Sequence, residues 1–421
     1  MIHSNSNFDN INFNGGNLSS DGGHILISQF LKQMGLKSLL KSIPFCDSRR
    51  FPVYSNVSIL IQLIIRCILG YNSQSDQKIL ENDPLLSHQS SICSQSTVSR
   101  FFDRVSNITN NVFHQIIMKL AAQFIDSNVE NPILDADSTL ITTNGKQQAS
   151  AYIHHYQDIG YHPLVINEYH SKLLLFSSLR TGSAYSSNGI VEALKQILSL
   201  LKNNKKIRFR GDSAFYRKDL FEFLEKNKIK YYIRIKGFKK YTRESLEDMV
   251  MKDIDWNQFN HSNPYYGELK QNDGRRIIYK TFYTVENGMK SLIPVVYCII
   301  TNDYEISPKE AMDFYEARGN SENFTKELKD DFDAGTLSHK EFEKNEMEFL
   351  ISSLSYNLYH IYQNQILEKD DKKIRMNTYR IRYQKIAVKV VQHARQITLS
   401  YSSVYKYQKQ FLHYWNKILL T

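Results

Sequence analysis

The feature that most limits the fold is an alternation of strand-like and helix-like segments that begins at Pro132. The segments "PILDADSTLITTN" and "SKLLLFSSLRTG" have the composition of strands, and "GIVEALKQILSLLK" has the periodicity of a helix. The next stretch, "KKIRFRGDSAFYRKDLFEFLEKNKIKYYIRIKG", predicts strand, turn, helix and strand in that order. This alternation predicts an α/β core built on a sheet.

The alternation stops between about residues 238 and 290. Turn sequences such as "SNPYYG" and "NDGRR" separate short aromatic-rich runs there, and we interpret the stretch as a β-rich insertion. The core resumes with the predicted strand "LIPVVYCIITND". Pro308 then opens a helix, since proline is favoured at the first helical position. The sequence therefore predicts an α/β core that is interrupted by inserted chain.

Aspartates stand at the ends of two predicted core strands. Asp137 lies at the end of the first strand, with Asp135 on the same strand face, and Asp212 ends a later strand. Side chains at the carboxyl edge of an α/β sheet point into the crevice where ligands bind. Each aspartate alone could equally cap a turn, as aspartates before serine often do. The pattern also leaves open which of Asp135 and Asp137 has the functional role.

Polar residues recur at regular spacing on the helix predicted after the last core strand. On one continuous helix, Tyr315, Arg318, Glu322 and Lys329 share a narrow stripe, because each residue advances about 100° around the axis. One interpretation is a surface helix with an i,i+4 ion pair worth a few tenths of a kcal/mol. Gly319 counts mildly against it, because glycine within a helix costs up to about 1 kcal/mol. The other interpretation is a functional face.

The first 128 residues predict a mainly helical region. The segment "FHQIIMKLAAQFI" has a 3.6-residue apolar period. Within the region, "CSQSTVSRFFDRV" predicts a turn and a short helix capped by Ser96, with Arg100 and Arg104 on its outer faces. This segment could be the second helix of a helix-turn-helix, in which Arg100 would face DNA. An ordinary capped helix is the alternative interpretation.

Positive charge is concentrated at the C-terminal end of the chain. The net charge is +10, and Lys372–Thr421 contains eleven lysine or arginine residues and no acidic residue. Tyrosines interleave with these charges, which a merely solvated tail would not need. We therefore predict a folded hairpin and helix that contact DNA phosphates, with Lys385, Lys389 and Arg395 as candidate contacts.

Several other classes of protein are disfavoured. The longest apolar run, "SILIQLIIRCILGY", is too short to span a bilayer, so we expect a buried helix and no membrane partner. The N-terminal residues lack the pattern of an export signal, which favours a cytoplasmic location. The four cysteines form no CxxC pair, and the histidines of "YIHHYQDIGYHPL" lack partners at zinc-ligand spacing. Ser213 has no Gly-x-Ser-x-Gly setting, which disfavours a serine hydrolase.

Taken together, the motifs resemble those of one family. Asp137 in "DADST", Asp212 in "RGDSAFY" and Glu322 in "YEARGNSENFTKELK" resemble the DDE triad of cut-and-paste insertion-sequence transposases with the YREK signature. The segments "SSDGGHILI", "GYNSQSDQKILENDPLL", "STVSRFFDR" and "GYHPL" resemble segments of the same family in the same order. The resemblance covers about residues 19 to 420.

The resemblance implies an RNase H-like α/β fold with three regions. Residues 1–128 would form a mainly helical DNA-binding region. Residues 129–345 would form the catalytic domain, with the β-rich insertion at about 238–290. Residues 346–421 would form a basic region of helix and hairpin. The protein would be bacterial, cytoplasmic and associated with the nucleoid when bound to DNA.

The resemblance also implies roles for the acidic and basic candidates. Asp137, Asp212 and Glu322 would be the catalytic residues and would bind two Mg²⁺ ions, for which Mn²⁺ could substitute. The phosphates of the transposon end would be held by the other members of the stripe, namely Tyr315, Arg318 and Lys329. The partners would be double-stranded DNA, as terminal inverted repeats and as target, and a second copy of the chain in a homodimer assembled on DNA.

Some alternatives stay open at this point. The protein could be an RNase H-like nuclease without strand transfer, or a non-catalytic DNA-binding regulator derived from a transposase. Asp135 remains an alternative first metal ligand, although the Ser-Thr that follows Asp137 fits the family pattern. Related enzymes use an aromatic residue of the insertion to hold a flipped base. Trp256 is the insertion's tryptophan, but its distance from Glu322 does not match, and we predict a buried position for it.

Overall fold

The computed structural model describes residues 11–89, 91–202, 204–235, 239–286, 288–394 and 396–420. Its helices are α1 (His24–Gln33), α2 (Leu36–Leu40), α3 (Asn56–Leu69), α4 (Gln77–Asn82), α5 (Pro84–Gln89), α6 (Gln95–Phe102), α7 (Asn107–Asn128), α8 (Ile190–Leu200), α9 (Lys218–Lys226), α10 (Lys239–Met251), α11 (Pro308–Glu316), α12 (Gly319–Asp331), α13 (Phe342–Gln365), α14 (Met376–Tyr379) and α15 (Gln408–Leu420). Its strands are β1 (Leu18–Ser19), β2 (Ile133–Ser138), β3 (Ile141–Thr142), β4 (Ala151–Ile153), β5 (Asp158–Tyr161), β6 (Leu164–Glu168), β7 (Leu174–Ser178), β8 (Arg208–Gly211), β9 (Lys230–Ile235), β10 (Tyr265–Lys270), β11 (Arg276–Phe282), β12 (Val285–Glu286), β13 (Met289–Lys290), β14 (Val295–Thr301), β15 (Val388–His393) and β16 (Gln396–Tyr401).

The chain divides into two compact units. The first unit contains Met1–Lys41, Ser48–Arg104 and Gln365–Thr421, and the second contains Ser42–Asp47 and Val105–Asn364. The basic C-terminal segment therefore belongs to the same unit as the helices α1 to α6, whereas α7 belongs to the second unit. The three acidic candidates all belong to the second unit.

The second unit is organised around an eight-stranded sheet with the order β10-β11-β14-β9-β8-β2-β6-β7. The pairs β2–β8 and β8–β9 are parallel, and the other neighbours in the sheet are antiparallel. The fold is thus α/β with a large mixed sheet. Because β2 and β8 run in the same direction, their carboxyl ends lie at the same edge of the sheet. This edge carries Asp137 at the end of β2 and Asp212 directly after β8.

The stretch predicted as a β-rich insertion has a mixed character. It begins with the helix α10, whose surface carries ion pairs four residues apart, namely Arg243 with Glu247 and Lys240 with Glu244. Such pairs stabilise a helix by a few tenths of a kcal/mol each. The strands β10 and β11 that follow extend the main sheet beside β14. The sequence interpretation missed α10, because the aromatic-rich runs around it have strand composition.

A small second sheet follows β2 directly in the chain. It has the order β3-β5-β4, and β4 and β5 form a hairpin whose turn contains His154, His155, Tyr156 and Gln157. Gln157 has a φ of 54°, in the left-handed region that tight turns use. The turn therefore projects its two histidines and its tyrosine at a defined place beyond the hairpin.

In the first unit, β1 pairs with β15, which in turn pairs with β16. The "DGG" sequence at residues 21–23 lies against the chain just before β15. A side chain at Gly23 would come within 1.5 Å of the Tyr383 carbonyl oxygen, and one at Gly22 within 2.6 Å of the Ile386 carbonyl oxygen. Only glycine permits such an approach of two backbones. The two glycines are thus explained by packing within this unit.

The candidate helix-turn-helix segment forms the short helix α6. Its N-cap is Ser94, whose side chain accepts a hydrogen bond from the backbone N–H of Thr97 at 3.4 Å. The predicted cap, Ser96, was therefore wrong by two residues. Arg100 is exposed on this helix, whereas Arg104 donates from Nε to Asn56 at 2.7 Å. Of the two arginines, Arg100 is thus the one available to a partner.

Within the described residues, no single helix is both long and apolar enough to cross a membrane. One sharply bent pair, α3 with the segment Gln74–Asn82, meets the length and composition criteria when taken together. The apolar run predicted as a buried helix corresponds to α3, in which most side chains are buried.

Candidate active site

The second unit contains a cavity of about 610 Å³. Candidate residues that lie almost two hundred residues apart in the sequence line its wall. Its wall includes all three acidic candidates and the rest of the predicted stripe: Asp137, Asp212, Glu322, Tyr315, Arg318 and Lys329. The three carboxylates come from three elements, because the first ends β2, the second follows β8 and the third lies in the first turn of α12. Elements distant in sequence thus contribute acids to one cavity.

The two aspartates of β2 have different surroundings. Asp135 is completely buried and accepts two hydrogen bonds from Arg210, at 2.6 and 2.7 Å, and one from Ser321 at 2.5 Å. Arg210 is the residue paired with Asp135 in the register of β2 and β8. The Asp137 side chain lies in the cavity wall and is 19 % exposed. The oxygens of Asp135 are therefore engaged by the protein, whereas Asp137 faces the cavity.

The ion pair of Arg210 and Asp135 also joins the helices of the site to the sheet. Arg210 donates from Nη1 to the Phe314 carbonyl of α11 at 2.7 Å, and Ser321 belongs to α12. Both charged side chains are completely buried. Removing one partner of a buried pair leaves an uncompensated charge in the interior. The pair therefore stabilises the position of Glu322 relative to the two strands.

We expect Arg210→Ala to lower the free energy of unfolding by about 3–5 kcal/mol, because it leaves the buried Asp135 carboxylate without its ion-pair partner. Chemical denaturation followed by circular dichroism measures this loss. Arg243→Ala is the matched control, since Arg243 pairs with Glu247 at the surface of α10 and its removal should cost no more than about 1 kcal/mol. Equal losses for the two variants would contradict the structural role of the buried pair.

The helix that carries the stripe is interrupted where a single continuous helix was predicted. α11 ends at Glu316 and α12 begins at Gly319. Arg318 N–H donates to the Tyr315 carbonyl at 2.9 Å, and Ser321 N–H donates to the Arg318 carbonyl at 2.8 Å. These are i→i−3 bonds, which tighten the turn relative to an α-helix. The stripe calculated for one ideal helix is thus broken at Arg318, although its four residues still line one cavity.

Two basic members of the stripe contact the end of β2 and the residues that follow it. Arg318 is buried, and its Nη2 donates to the Ala136 carbonyl at 3.1 Å and to Asp137 at 3.3 Å. Lys329 donates to the Leu140 carbonyl at 2.9 Å, and burial lowers the pKa of its ammonium group. The Nε of Arg318 is buried and has no hydrogen-bond partner among the described residues. The cavity wall therefore holds an unsatisfied guanidinium donor.

The electrostatics of the cavity show that its carboxylates interact. Burial raises the pKa of Asp137 to about 6, Arg318 opposes this rise, and Asp212 and Glu322 add to it. The same three carboxylates, after burial, contribute to raising the pKa of Tyr156 to about 12. Negative charges gathered around one cavity form a favourable environment for a cation.

The chemistry of the donor set fits a hard divalent cation. Mg²⁺ prefers oxygen ligands and binds through a few carboxylates together with water and substrate phosphate. Among the described residues, no group of three His, Cys, Asp or Glu side chains is arranged to hold a metal ion as it stands. The three carboxylates line one cavity without converging on one point.

The sequence interpretation missed part of the cavity wall. His155 and Tyr156, from the turn between β4 and β5, and Arg234 from β9 also line it. The first two belong to the motif "YIHHYQDIGYHPL", whose histidines lack partners at zinc-ligand spacing and so predict no metal site. A signal was present, because histidine and tyrosine at a hairpin turn are exposed and chemically useful. What the sequence did not provide was the position of that turn.

Of the remaining predicted DNA contacts, Arg100, Lys385 and Lys389 lie in the first unit. Lys389 is exposed on β15. Lys385 pairs with the buried Asp21 at 2.6 Å and lies 4.0 Å from the centre of the Tyr71 ring. Arg395 lies outside the described residues. Lys389 is therefore a freer contact for a partner than Lys385 is.

Trp256, considered as an aromatic contact to a base, lies in the second unit. It begins a short 3₁₀ turn, Trp256–Gln258, and its side chain is half-buried where a buried position was predicted. The Lys290 ammonium group lies 5.9 Å from the centre of a Trp256 ring.

The second unit is an α/β domain with a large mixed sheet. Its cavity is lined by three candidate carboxylates and by basic side chains. Residues 5–421 match the model of the family described as "Transposase DDE domain group 1", and the chain belongs to that family. No curated protein matches the chain. Among solved structures, the cryo-EM structure of the piggyBac transposase synaptic complex with hairpin DNA is similar, with 14 % identity and a TM-score of 0.46, covering 86 % of this chain and 79 % of that one.

Proposed function

We propose that this protein is the transposase of a bacterial cut-and-paste insertion sequence of the YREK-signature group, and that it cleaves and joins DNA with divalent metal ions. The observation that carries the proposal is the convergence of Asp137, Asp212 and Glu322 on one cavity. Membership of the DDE transposase family supports transposition as the function. The basic and phenolic side chains around the same cavity give it affinity for a polyanion.

We further propose that the catalytic core is RNase H-like. Five adjacent strands of the main sheet, in the order β7-β6-β2-β8-β9, support this proposal. In that order the first three strands along the chain form an antiparallel meander, and the last two run parallel to the first. The remaining strands, β14, β11 and β10, continue the sheet beyond β9 and would represent the inserted part.

Asp137, Asp212 and Glu322 would hold two Mg²⁺ ions, with Mn²⁺ as a substitute. Bound metal supplies charge neutralisation at the scissile phosphate and lowers the pKa of the attacking water. Arg318 would bind a phosphate oxygen through its guanidinium group, while its Nη2 orients Asp137. Lys329 would add a positive charge and Tyr315 a hydroxyl donor. Water would first free a 3′-hydroxyl at the end of the element, and that hydroxyl would then attack further phosphodiesters.

The proposed partner is double-stranded DNA, first as the terminal inverted repeats and then as the target. In the first unit, Arg100 and Lys389 are exposed and would contact phosphates, which position a protein on DNA without reading its sequence. Lys385 would contribute less, because Asp21 already neutralises it. Since an element has two ends, we propose that a homodimer assembles on the DNA.

Cleavage of the DNA that flanks the reading frame tests the proposed function. Duplexes carrying the inverted repeats from both sides are incubated with the protein in Mg²⁺, in Mn²⁺ and in EDTA. We expect cleavage at the repeat ends and joined products in either metal, and none in EDTA. Nicked DNA without joined products would favour an RNase H-like nuclease. Tight binding without cleavage in any metal would favour a regulator. Full cleavage in EDTA would refute the metal mechanism.

A further inference from the structure

The turn between β4 and β5 carries a histidine into the candidate active site. His155 lines the same cavity as the three carboxylates, although it belongs to neither of the strands nor the helix that supply them. Its neighbour His154 contacts the Tyr152 ring, with centroids 5.2 Å apart, and is absent from the residues that line this cavity in the described chain. Of the two adjacent histidines of this turn, His155 therefore lines the cavity, whereas His154 contacts the Tyr152 ring.

His155 is held in place by a chain of ring contacts that is anchored near Asp137. The His155 and Tyr156 rings meet edge to face, with centroids 4.8 Å apart, and the Tyr156 and His162 rings meet at 6.0 Å. The Tyr156 hydroxyl donates to the Ser138 carbonyl at 3.1 Å, one residue after Asp137. His162 Nδ1 lies 2.8 Å from the Ala184 carbonyl. An exposed imidazole is thus positioned at the cavity by two anchored rings.

The chemistry of the reaction requires a proton donor at this cavity. When a phosphodiester is hydrolysed, the departing 3′-oxygen leaves with negative charge and must gain a proton. Among the described side chains that line the cavity, His155 alone carries an imidazole, the side chain that most often acts as a general acid or base in catalysis. Arginine holds its proton too tightly for this, the three carboxylates are assigned to the metal ions, and Lys329 is assigned to a phosphate.

We propose that His155 is the general acid of strand cleavage and that Tyr156 is the residue that positions it. The water oxygen forms a bond to phosphorus while the bond from phosphorus to the 3′-oxygen breaks. The imidazolium of His155 gives its proton to that oxygen, which leaves as the 3′-hydroxyl. The attacking water releases a proton to solvent, and His155 takes one up from solvent before the next cleavage. This assignment rests on the proposed function.

A sulfur-substituted substrate tests the assignment. Single-turnover cleavage in Mn²⁺ is measured on two pre-bound inverted-repeat duplexes, one natural and one with sulfur replacing the bridging 3′-oxygen at the cleavage point. We expect His155→Gln to slow cleavage of the natural duplex by about 10²–10⁴-fold, the usual range for a general acid. On the sulfur duplex the loss should be no more than about 5-fold, because a thiolate leaves without a proton.

His154→Gln is the matched control, and it should change neither rate by more than about 2-fold. Tyr156→Phe removes the anchoring hydroxyl and should slow only the natural duplex, by about 3–10-fold, which a purely structural defect would not do. Equal losses for His155→Gln on both duplexes, or wild-type rates on both, would overturn the assignment of His155 alone. Failure of the wild-type protein to cleave either duplex would overturn the proposed function and this inference with it.

Discussion

Replacing Asp137, Asp212 or Glu322 with alanine should abolish DNA cleavage, with a loss of about 10⁴-fold or more in the single-turnover rate. The three carboxylates line one cavity and interact electrostatically, so they would act as a unit in holding the metal ions. Removing one member of a catalytic unit typically has an effect of this size. Affinity for the terminal repeat should change by less than about 3-fold, because the proposed phosphate contacts of the first unit remain.

Asp330→Ala is the matched control for these variants. Asp330 is an exposed carboxylate of α12 that lines the same cavity but is not an assigned ligand. We expect it to change the cleavage rate by less than about 3-fold. The measurement is single-turnover cleavage on pre-bound duplex in Mg²⁺, repeated in Ca²⁺, which should support binding but little cleavage. Wild-type cleavage by Asp212→Ala would refute the assignment of the carboxylates.

Arg318→Ala should slow cleavage of pre-bound DNA by about 10²–10³-fold, the size of effect expected for one oriented donor to developing charge. The structure gives two reasons, since Arg318 donates to Asp137 and its side chain lines the cavity beside the carboxylates. Arg318→Lys keeps the charge but not the geometry of the guanidinium group, so it should recover only part of the rate. The equilibrium affinity for DNA should change much less than the rate.

Lys389→Gln should have the opposite effect to Arg318→Ala, because it should lower the affinity for DNA and leave the cleavage rate unchanged. Lys389 is exposed on β15 in the first unit, and its proposed role is phosphate contact alone. Its removal should weaken binding to specific and random duplexes alike. The slope of the logarithm of the binding constant against the logarithm of the salt concentration should become shallower by about one. Cleavage of DNA already bound should be unaffected.

If Arg318→Ala cleaved bound DNA at the wild-type rate, Arg318 would be an ordinary buried ion-pair partner.

The sequence by itself determined the α/β class and the set of acidic candidates. The alternation after Pro132 predicted the strands and helices, because the periods of the two structures are local properties of the chain. The end of β2 and the end of β8 could be recognised from the same pattern. The helix after Pro308 also began where the sequence indicated, with Ser307 as its cap. Local patterns thus gave the elements and the residues at their ends.

Only the tertiary structure decided how those residues are used. Asp135 and Asp137 share a strand face, and the register of β2 with β8 gives Arg210 to the first and leaves the second facing the cavity. The sequence also did not predict the interruption between α11 and α12 at Arg318 or the position of the β4–β5 turn. It did not predict the pairing of Lys385 with Asp21 either. The reason is physical: a side chain's free energy at such a site depends on partners far away in sequence, which local periodicity does not encode.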